Sequence, residues 1–256
     1  MRETNDADVT GKVSLSDEKA VEKILASAVM GLWELVNDLT RIQPSRRERY
    51  RVAIFGSARA KPDTFAYDAV KRTAAALAEM GCDIVTGGGP GLMQAANEGA
   101  ASTGLPERSL GIRVDLPFEQ EVNPFVEHAF AHKTFFTRLH HFVIASDAFV
   151  VVPGGIGTVL ETMMVWQLLQ VRHLEARPLV FVGQMWGDLV AWARQHMLGG
   201  DLAMASGEDL SIPECVLTGD EAVERIRQDH DRWQRGRRDP SERLKTDTAW
   251  PAPPID

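Results

Sequence analysis

Hydrophobic residues along this chain follow two spacings. Short apolar runs rich in β-branched side chains have the length and composition of strands: Val52 to Phe55, Cys82 to Val85, Ser109 to Val114, Phe125 to Phe130, Asp147 to Val152, Pro178 to Val182 and Cys215 to Leu217. Between them, apolar positions recur at helical spacing over about 64–80, 92–102, 134–145, 158–173, 186–197 and 220–233. Gly81 and Gly104 stand just past two of these stretches, where helices commonly end. Strand–helix alternation of this kind predicts an α/β fold, a Rossmann-like doubly wound parallel sheet.

Before the first strand the pattern changes. Residues 1 to about 14 are polar, and a long helix is predicted over 16–42, with Val21, Ile24, Leu25, Ala28, Val29, Leu32, Leu35, Val36 and Leu39 on one face. That stripe would pack on the main domain or on a second subunit. Arg46 to Arg49 read as a solvated linker, and from Gln234 onward the chain turns Arg-rich and then Pro-rich, as in a disordered tail. The expected organisation is an N-terminal extension over 1–50, a nucleotide-binding domain over 51–233 and a tail over 234–256.

Three glycine turns follow strands: Gly56-Ser57-Ala58-Arg59, Gly87-Gly88-Gly89-Pro90-Gly91 and Pro153-Gly154-Gly155-Ile156-Gly157-Thr158. In a doubly wound sheet such turns gather at the carboxyl edge of the strands, where ligands bind. One glycine turn often serves packing alone, whereas three together point to a nucleotide-sized pocket. The third leads into a helix whose free N–H groups and dipole favour an anion, so Gly154, Gly155, Gly157 and Thr158 are candidate phosphate ligands. Glu161 follows in an apolar helix, where a carboxylate needs a partner unless it serves only the helix dipole. Arg138, set among Phe135, Phe136 and Phe142 on the preceding helix, is the candidate partner; the alternative is a surface arginine lying over those rings.

Composition narrows the chemistry. A net charge of −8 over 256 residues argues against a nucleic-acid polymer as partner. No apolar run approaches the about 18 residues of a membrane span, and no signal peptide opens the chain, so a cytoplasmic location is expected. Cys82 and Cys215 lie outside any ligand spacing and read as core thiols, and His140 and His141 diverge on their helix, so no metal site is expected. Leu160 occupies the place of the last glycine of GxGxxG, and no lysine follows Gly157 as a Walker A loop requires.

The motif Pro153-Gly-Gly-Ile-Gly-Thr158-x-x-Glu161, with Arg138 upstream, resembles that of the LOG ("Lonely guy") family. Thr86-Gly-Gly-Gly-Pro-Gly91-Leu-Met-Gln-Ala-Ala-Asn97 and Phe55-Gly56-Ser57 match that family's other glycine turns, and the similarity spans about residues 50–230. The resemblance implies a homodimer or larger homo-oligomer that hydrolyses the N-glycosidic bond of nucleoside 5′-monophosphates, AMP or cytokinin riboside 5′-monophosphates, without metal or redox cofactor. It implies catalytic roles for Glu161 and Arg138. Ser57, Gly88, Gly89, Met93 and Asn97 become candidate contacts for ribose or base. Leu139 follows Arg138 where family members usually carry lysine.

Two other classes share parts of the pattern. A non-catalytic nucleotide-binding or sensing protein would use the same three turns. A pyridoxal-phosphate decarboxylase, the label often given to PGGxGT proteins, would need a Schiff-base lysine, for which the sequence offers Lys133.

Overall fold

Alternate side chains of each central strand enter opposite layers, the period-2 rule of an extended chain. Val52, Ile54, Ala148, Val150, Val180 and Val182 face one core, with Ala53, Phe55, Phe149, Val151, Leu179 and Phe181 facing the other. The strands are β1 (Arg51–Phe55), β2 (Asp83–Thr86), β3 (Ser109–Val114), β4 (His128–His132), β5 (Ala148–Val151), β6 (Leu179–Val182) and β7 (Pro213–Val216). They form a seven-stranded sheet in the order β4-β3-β2-β1-β5-β6-β7, and each neighbouring pair is parallel. This is the Rossmann-like architecture that the alternation predicts. The structure, a computed structural model, describes residues 17–27, 48–114, 122–174, 176–198 and 204–238.

The helices are α1 (Phe65–Glu79), α2 (Leu92–Ser102), α3 (Phe135–Ala145), α4 (Ile156–Gln170), α5 (Gln184–Ala193) and α6 (Gly219–Arg238). Helices α1, α2 and α6 bury Leu77, Ala96 and Ile226 on the first face, while α3, α4 and α5 bury Phe142, Trp166 and Trp186 on the second. Each large apolar side chain so buried contributes about 1.5–3 kcal/mol. Thr64 and Thr134 cap α1 and α3 by accepting the Tyr67 and Thr137 N–H groups. Gly99 lets α2 meet α1 closely, since a Cβ there would lie 2.1 Å from the Lys71 carbonyl oxygen.

Strand order reverses between β1 and β5. The loops leaving their carboxyl ends therefore diverge to opposite faces and open a crevice at the switch point. Both the first and third glycine turns leave from this place.

Several expectations need correction. Helix α6 runs to Arg238 instead of ending near Trp233, because Tyr50, His230 and Trp233 pack together and Arg237 lies 4.9 Å over the Trp233 ring. Arg49 is no solvated linker residue: its Nε donates to Asp83 at 2.6 Å. Cys82 is buried as expected, whereas Cys215 is exposed, on the edge strand β7. Helix α4, apolar in sequence, is not enclosed all round, since Ile156 and Leu160 are exposed.

The chain divides into two compact units, Met1–Ser45 and Arg46–Asp256. In the first, residues 18–27 are helical and Asp17 accepts the Ala20 N–H at its start. The remainder of the helix expected over 16–42 and residues 239–256 of the tail lie outside the described residues. No described helix is long and apolar enough to cross a membrane.

Candidate active site

The three glycine turns are fastened to one another through a single residue. Ser57 N–H donates to the Pro153 carbonyl at 3.1 Å, and the Ser57 carbonyl accepts the Leu92 N–H at 2.8 Å. The first turn is thereby joined to the third and to the start of α2. Gly91, at φ +71°, permits this approach, because a Cβ there would stand 2.3 Å from the Ser57 oxygen. Ser57 Oγ accepts the Arg59 N–H, so this predicted contact residue builds the crevice mainly through its backbone.

In the third turn the glycines divide into two kinds. A Cβ at Gly154 would lie 2.2 Å from Thr158 Oγ1, so the threonine hydroxyl is tucked beneath that glycine. At Gly155 and Gly157 a Cβ would meet nothing within 4 Å, and the backbone there is open. Helix α4 begins at Ile156 without a side-chain cap. Exposed first-turn N–H groups at an uncapped helix start make an anion-binding surface.

Past the first turn of α4, Glu161 is buried and pairs with Arg138 of α3, Nη1 to Oε1 at 2.9 Å, with side-chain exposures of 12% for Arg138 and 11% for Glu161. The guanidinium is held on several sides. Its Nε donates to the Ile112 carbonyl of β3, and its Cζ sits 5.2 Å over the Phe142 ring. Its Nη2 lies where a Cβ of Gly87 would fall, at 2.5 Å, beside the Met93 sulfur at 2.6 Å from the same point. Burial pushes the Glu161 carboxyl above its ordinary value, and attraction to Arg138 offsets only part of that rise.

The profile of the family described as "Possible lysine decarboxylase" matches residues 93–226, just over half of the chain. The chain belongs to this LOG/lysine-decarboxylase-like family. No curated protein matches the sequence. Among solved structures, TM1055, a structural-genomics target, is similar at 22% identity and TM-score 0.52, over 70% of this chain and 99% of that one. The molybdenum cofactor carrier protein from Chlamydomonas reinhardtii is similar at 17% identity and TM-score 0.54, over 71% and 98%. The molybdenum cofactor binding protein from Rippkaea orientalis is similar at 18% identity and TM-score 0.51, over 72% and 98%. At these identities the likeness is one of fold.

For this member of the lysine-decarboxylase-like family, the structure brings Arg138, Glu161, Gly87, Met93 and the Pro153–Thr158 turn to one edge of the sheet. Asn97 is a correction: it is fully buried beneath the second turn, with Oδ1 accepting from Thr86 and Asn123 and Nδ2 donating to Ser109 and Leu110. No part of its amide is left for a ligand. Gly88 and Gly89 face the same network, Gly88 N–H donating to Thr86 Oγ1 and the Gly89 carbonyl accepting from Asn123. Lys133 is exposed in the turn between β4 and α3, without the apolar enclosure that makes a lysine a Schiff-base nucleophile, so it does not fit pyridoxal phosphate. Among the described residues no group of three or more His, Cys, Asp or Glu side chains could hold a metal.

Thr86 opens the second glycine motif without being among the candidate contacts, and Asn123 lies outside every motif. Thr86 looks like the last residue of a buried strand. Asn123 precedes Pro124, a turn signal that says nothing about a contact made far along the chain.

Proposed function

We propose that the protein is a phosphoribohydrolase that cleaves the N-glycosidic bond of nucleoside 5′-monophosphates, AMP or N6-modified adenine nucleotides, to free base and ribose 5-phosphate. The observation that carries this reading is the buried Arg138–Glu161 pair set one turn below an open, uncapped helix start. The Gly155–Gly157 backbone and the Thr158 hydroxyl bind the 5′-phosphate, each helix-end contact contributing about 0.3–1 kcal/mol. A phosphate fixed there sets the ribose over Glu161.

Glu161 then stabilises positive charge at the anomeric carbon as the base departs, or takes a proton from the attacking water. The C1′–N bond breaks, water supplies the hydroxyl at C1′, and the leaving base gains a proton. Arg138 keeps the carboxylate ionised and aimed. Ser57 backbone, Gly88, Gly89 and Met93 form the wall beside the sugar and base, and Asn97 shapes that wall from behind. The exposed Leu160 on α4 and Val171 just past its end suit pairing with a second copy, so the working unit is a homodimer. L160D should then shift the protein toward monomer in sedimentation velocity.

The test is direct. Purified protein is incubated with nucleoside monophosphates and the matching nucleosides, and free base is followed by chromatography. Base released from monophosphates and far more slowly from nucleosides supports the reading. Stoichiometric AMP binding with no base released would instead favour a binding or sensing protein, and equal cleavage of nucleosides would rule out anchoring by the phosphate.

A further inference from the structure

The second glycine turn is held by a chain of linked polar groups. Asn123 supplies most of it. Its backbone N–H donates to the Gly88 carbonyl at 2.9 Å, and its Nδ2 donates to the Gly89 carbonyl and to Asn97 Oδ1, both at 3.0 Å. Asn97 Oδ1 also accepts the Thr86 hydroxyl at 2.6 Å, and Thr86 Oγ1 in turn accepts the Gly88 N–H at 2.9 Å. Asn97 Nδ2 closes the chain on Ser109 Oγ and the Leu110 carbonyl of β3. Backbone carbonyls at both ends fix the direction of each amide, so the chain has one arrangement.

Asn123 is itself pre-set. Its Oδ1 accepts the Phe125 N–H and its carbonyl the Val126 N–H, an Asx turn stiffened by Pro124. The segment packs closely as well, since a Cβ on Gly111 would lie 3.1 Å from Val126 Cγ1 and one on Gly88 3.9 Å from Val122 Cγ1. On the other side of the turn stand Arg138 Nη2 and the Met93 sulfur, against Gly87, with Met93 Cε against Gly89. The turn is thus a thin backbone wall with Asn123 behind it and the charged pair in front.

We propose that Asn123 is a positioning residue: it clamps the Gly87–Gly89 backbone, and through that wall sets the pose of the Arg138 guanidinium and of Met93 at the substrate. Its effect on turnover rests on the hydrolase reading above; the clamp itself does not. Loosening a wall that fixes the arginine misplaces Glu161 relative to the anomeric carbon, and displacements on the order of 1 Å cost about 100-fold in rate.

Asn123→Asp is the informative variant, because it keeps the volume and the Oδ1 that makes the Asx turn but removes the amide donor. An aspartic acid at this place can donate to Gly89 or Asn97 only while protonated. N123D should lower kcat by about 10- to 100-fold near pH 8 with KM changed less than about threefold. The ratio of its kcat to that of the unaltered protein should climb as pH falls, while the same ratio for N123A stays flat. Amide hydrogen exchange of the peptide spanning 86–93 should quicken at least about tenfold in both variants, without comparable change in α5 or α6.

The two readings separate cleanly. If the unaltered protein releases no base, the hydrolase reading fails, and exchange in 86–93 alone decides the clamp. Unchanged exchange in N123D overturns the clamp whatever the activity. Faster exchange with unaltered kcat overturns the positioning of Arg138. Should N123A fail to fold, N123D decides by exchange and by its pH ratio.

Discussion

Asp83 and Glu161 are carboxylates buried at opposite ends of the same sheet, and they are compensated very differently. Asp83, at the amino end of β2, meets three guanidinium groups: Arg49 at 2.6 Å, Arg51 at 3.3 Å and Arg108 at 3.5 Å. Glu161, at the carboxyl end, pairs with Arg138 at 2.9 Å and stays above its ordinary carboxyl value. Burial of a charge is costly unless partners offset it. Asp83 is compensated by arginines from two separate segments, which makes it a fastening: it ties the chain entering β1 to the entry of β3. Glu161 is compensated incompletely, and on the hydrolase reading proposed above an oxocarbenium-like sugar supplies the remaining positive charge.

Exchanging each carboxylate for its amide is the hardest test of that contrast. Glu161→Gln should keep the fold and nucleotide binding while turnover falls on the order of 1,000-fold, about 4 kcal/mol of transition-state stabilisation. Single-turnover base release together with calorimetric AMP binding reads both quantities. Asp83→Asn should do the reverse. It leaves three arginines without their shared anion and lowers unfolding free energy by about 2–3 kcal/mol, discounted because Arg49 and Arg51 are partly solvated. Its kcat at a temperature where it remains folded should match the parent protein. Loss of turnover in D83N equal to that in E161Q would erase the distinction between fastening and reactive carboxylate.

The pH dependence is the next sharpest probe. On the proposed hydrolase reading ionised Glu161 is the competent form, so activity should rise with pH along an acid limb lying above the ordinary glutamate value of 4.5. Arg138 lowers the carboxyl from where burial alone would put it. Arg138→Gln should therefore move the limb further toward high pH as well as reduce its plateau, by about 10- to 100-fold. A limb that moves down, or does not move, would detach Arg138 from the ionisation of Glu161.

Much of this is legible in the sequence, for identifiable reasons. Apolar runs mark the strands, because a strand covered on both faces has nowhere to put a polar side chain, and β1, β5 and β6 fall where the runs lie. The Arg138–Glu161 partnership is also reachable, since a buried carboxylate in an apolar helix demands a cation and few are available. What stays hidden depends on contacts between distant residues. Asn97 sits in a motif that looks ligand-facing, but its amide is spent on Thr86, Ser109, Leu110 and Asn123, and no local pattern records which side of a turn a side chain takes. Arg49 lies in a charged run that reads as solvated until Asp83 is brought beside it. Helix α6 outlasts its apolar pattern because Arg237 covers Trp233, a use of a charged residue that periodicity counts as polar.

The smallest expected effect separates the loop's role in folding from its role in binding. Gly157 lies within the first turn of α4, carries no positive φ, and a Cβ there would meet no protein atom within 4 Å. Alanine at this position should therefore cost the free protein nothing, and by helix propensity should stabilise it by about 0.5–1 kcal/mol. The same methyl projects from the backbone assigned to the phosphate, so G157A should raise KM for AMP about 3- to 10-fold, roughly 1 kcal/mol of lost contact, with kcat little changed. Gly154→Ala gives the opposite sign in stability, because its Cβ would strike Thr158, whose hydroxyl lies 2.2 Å away. Thermal melts and steady-state kinetics on the pair thus distinguish a glycine required by the protein's own packing from one left open for the ligand. A G157A protein that is both more stable and unaltered in KM would place the phosphate elsewhere on the crevice.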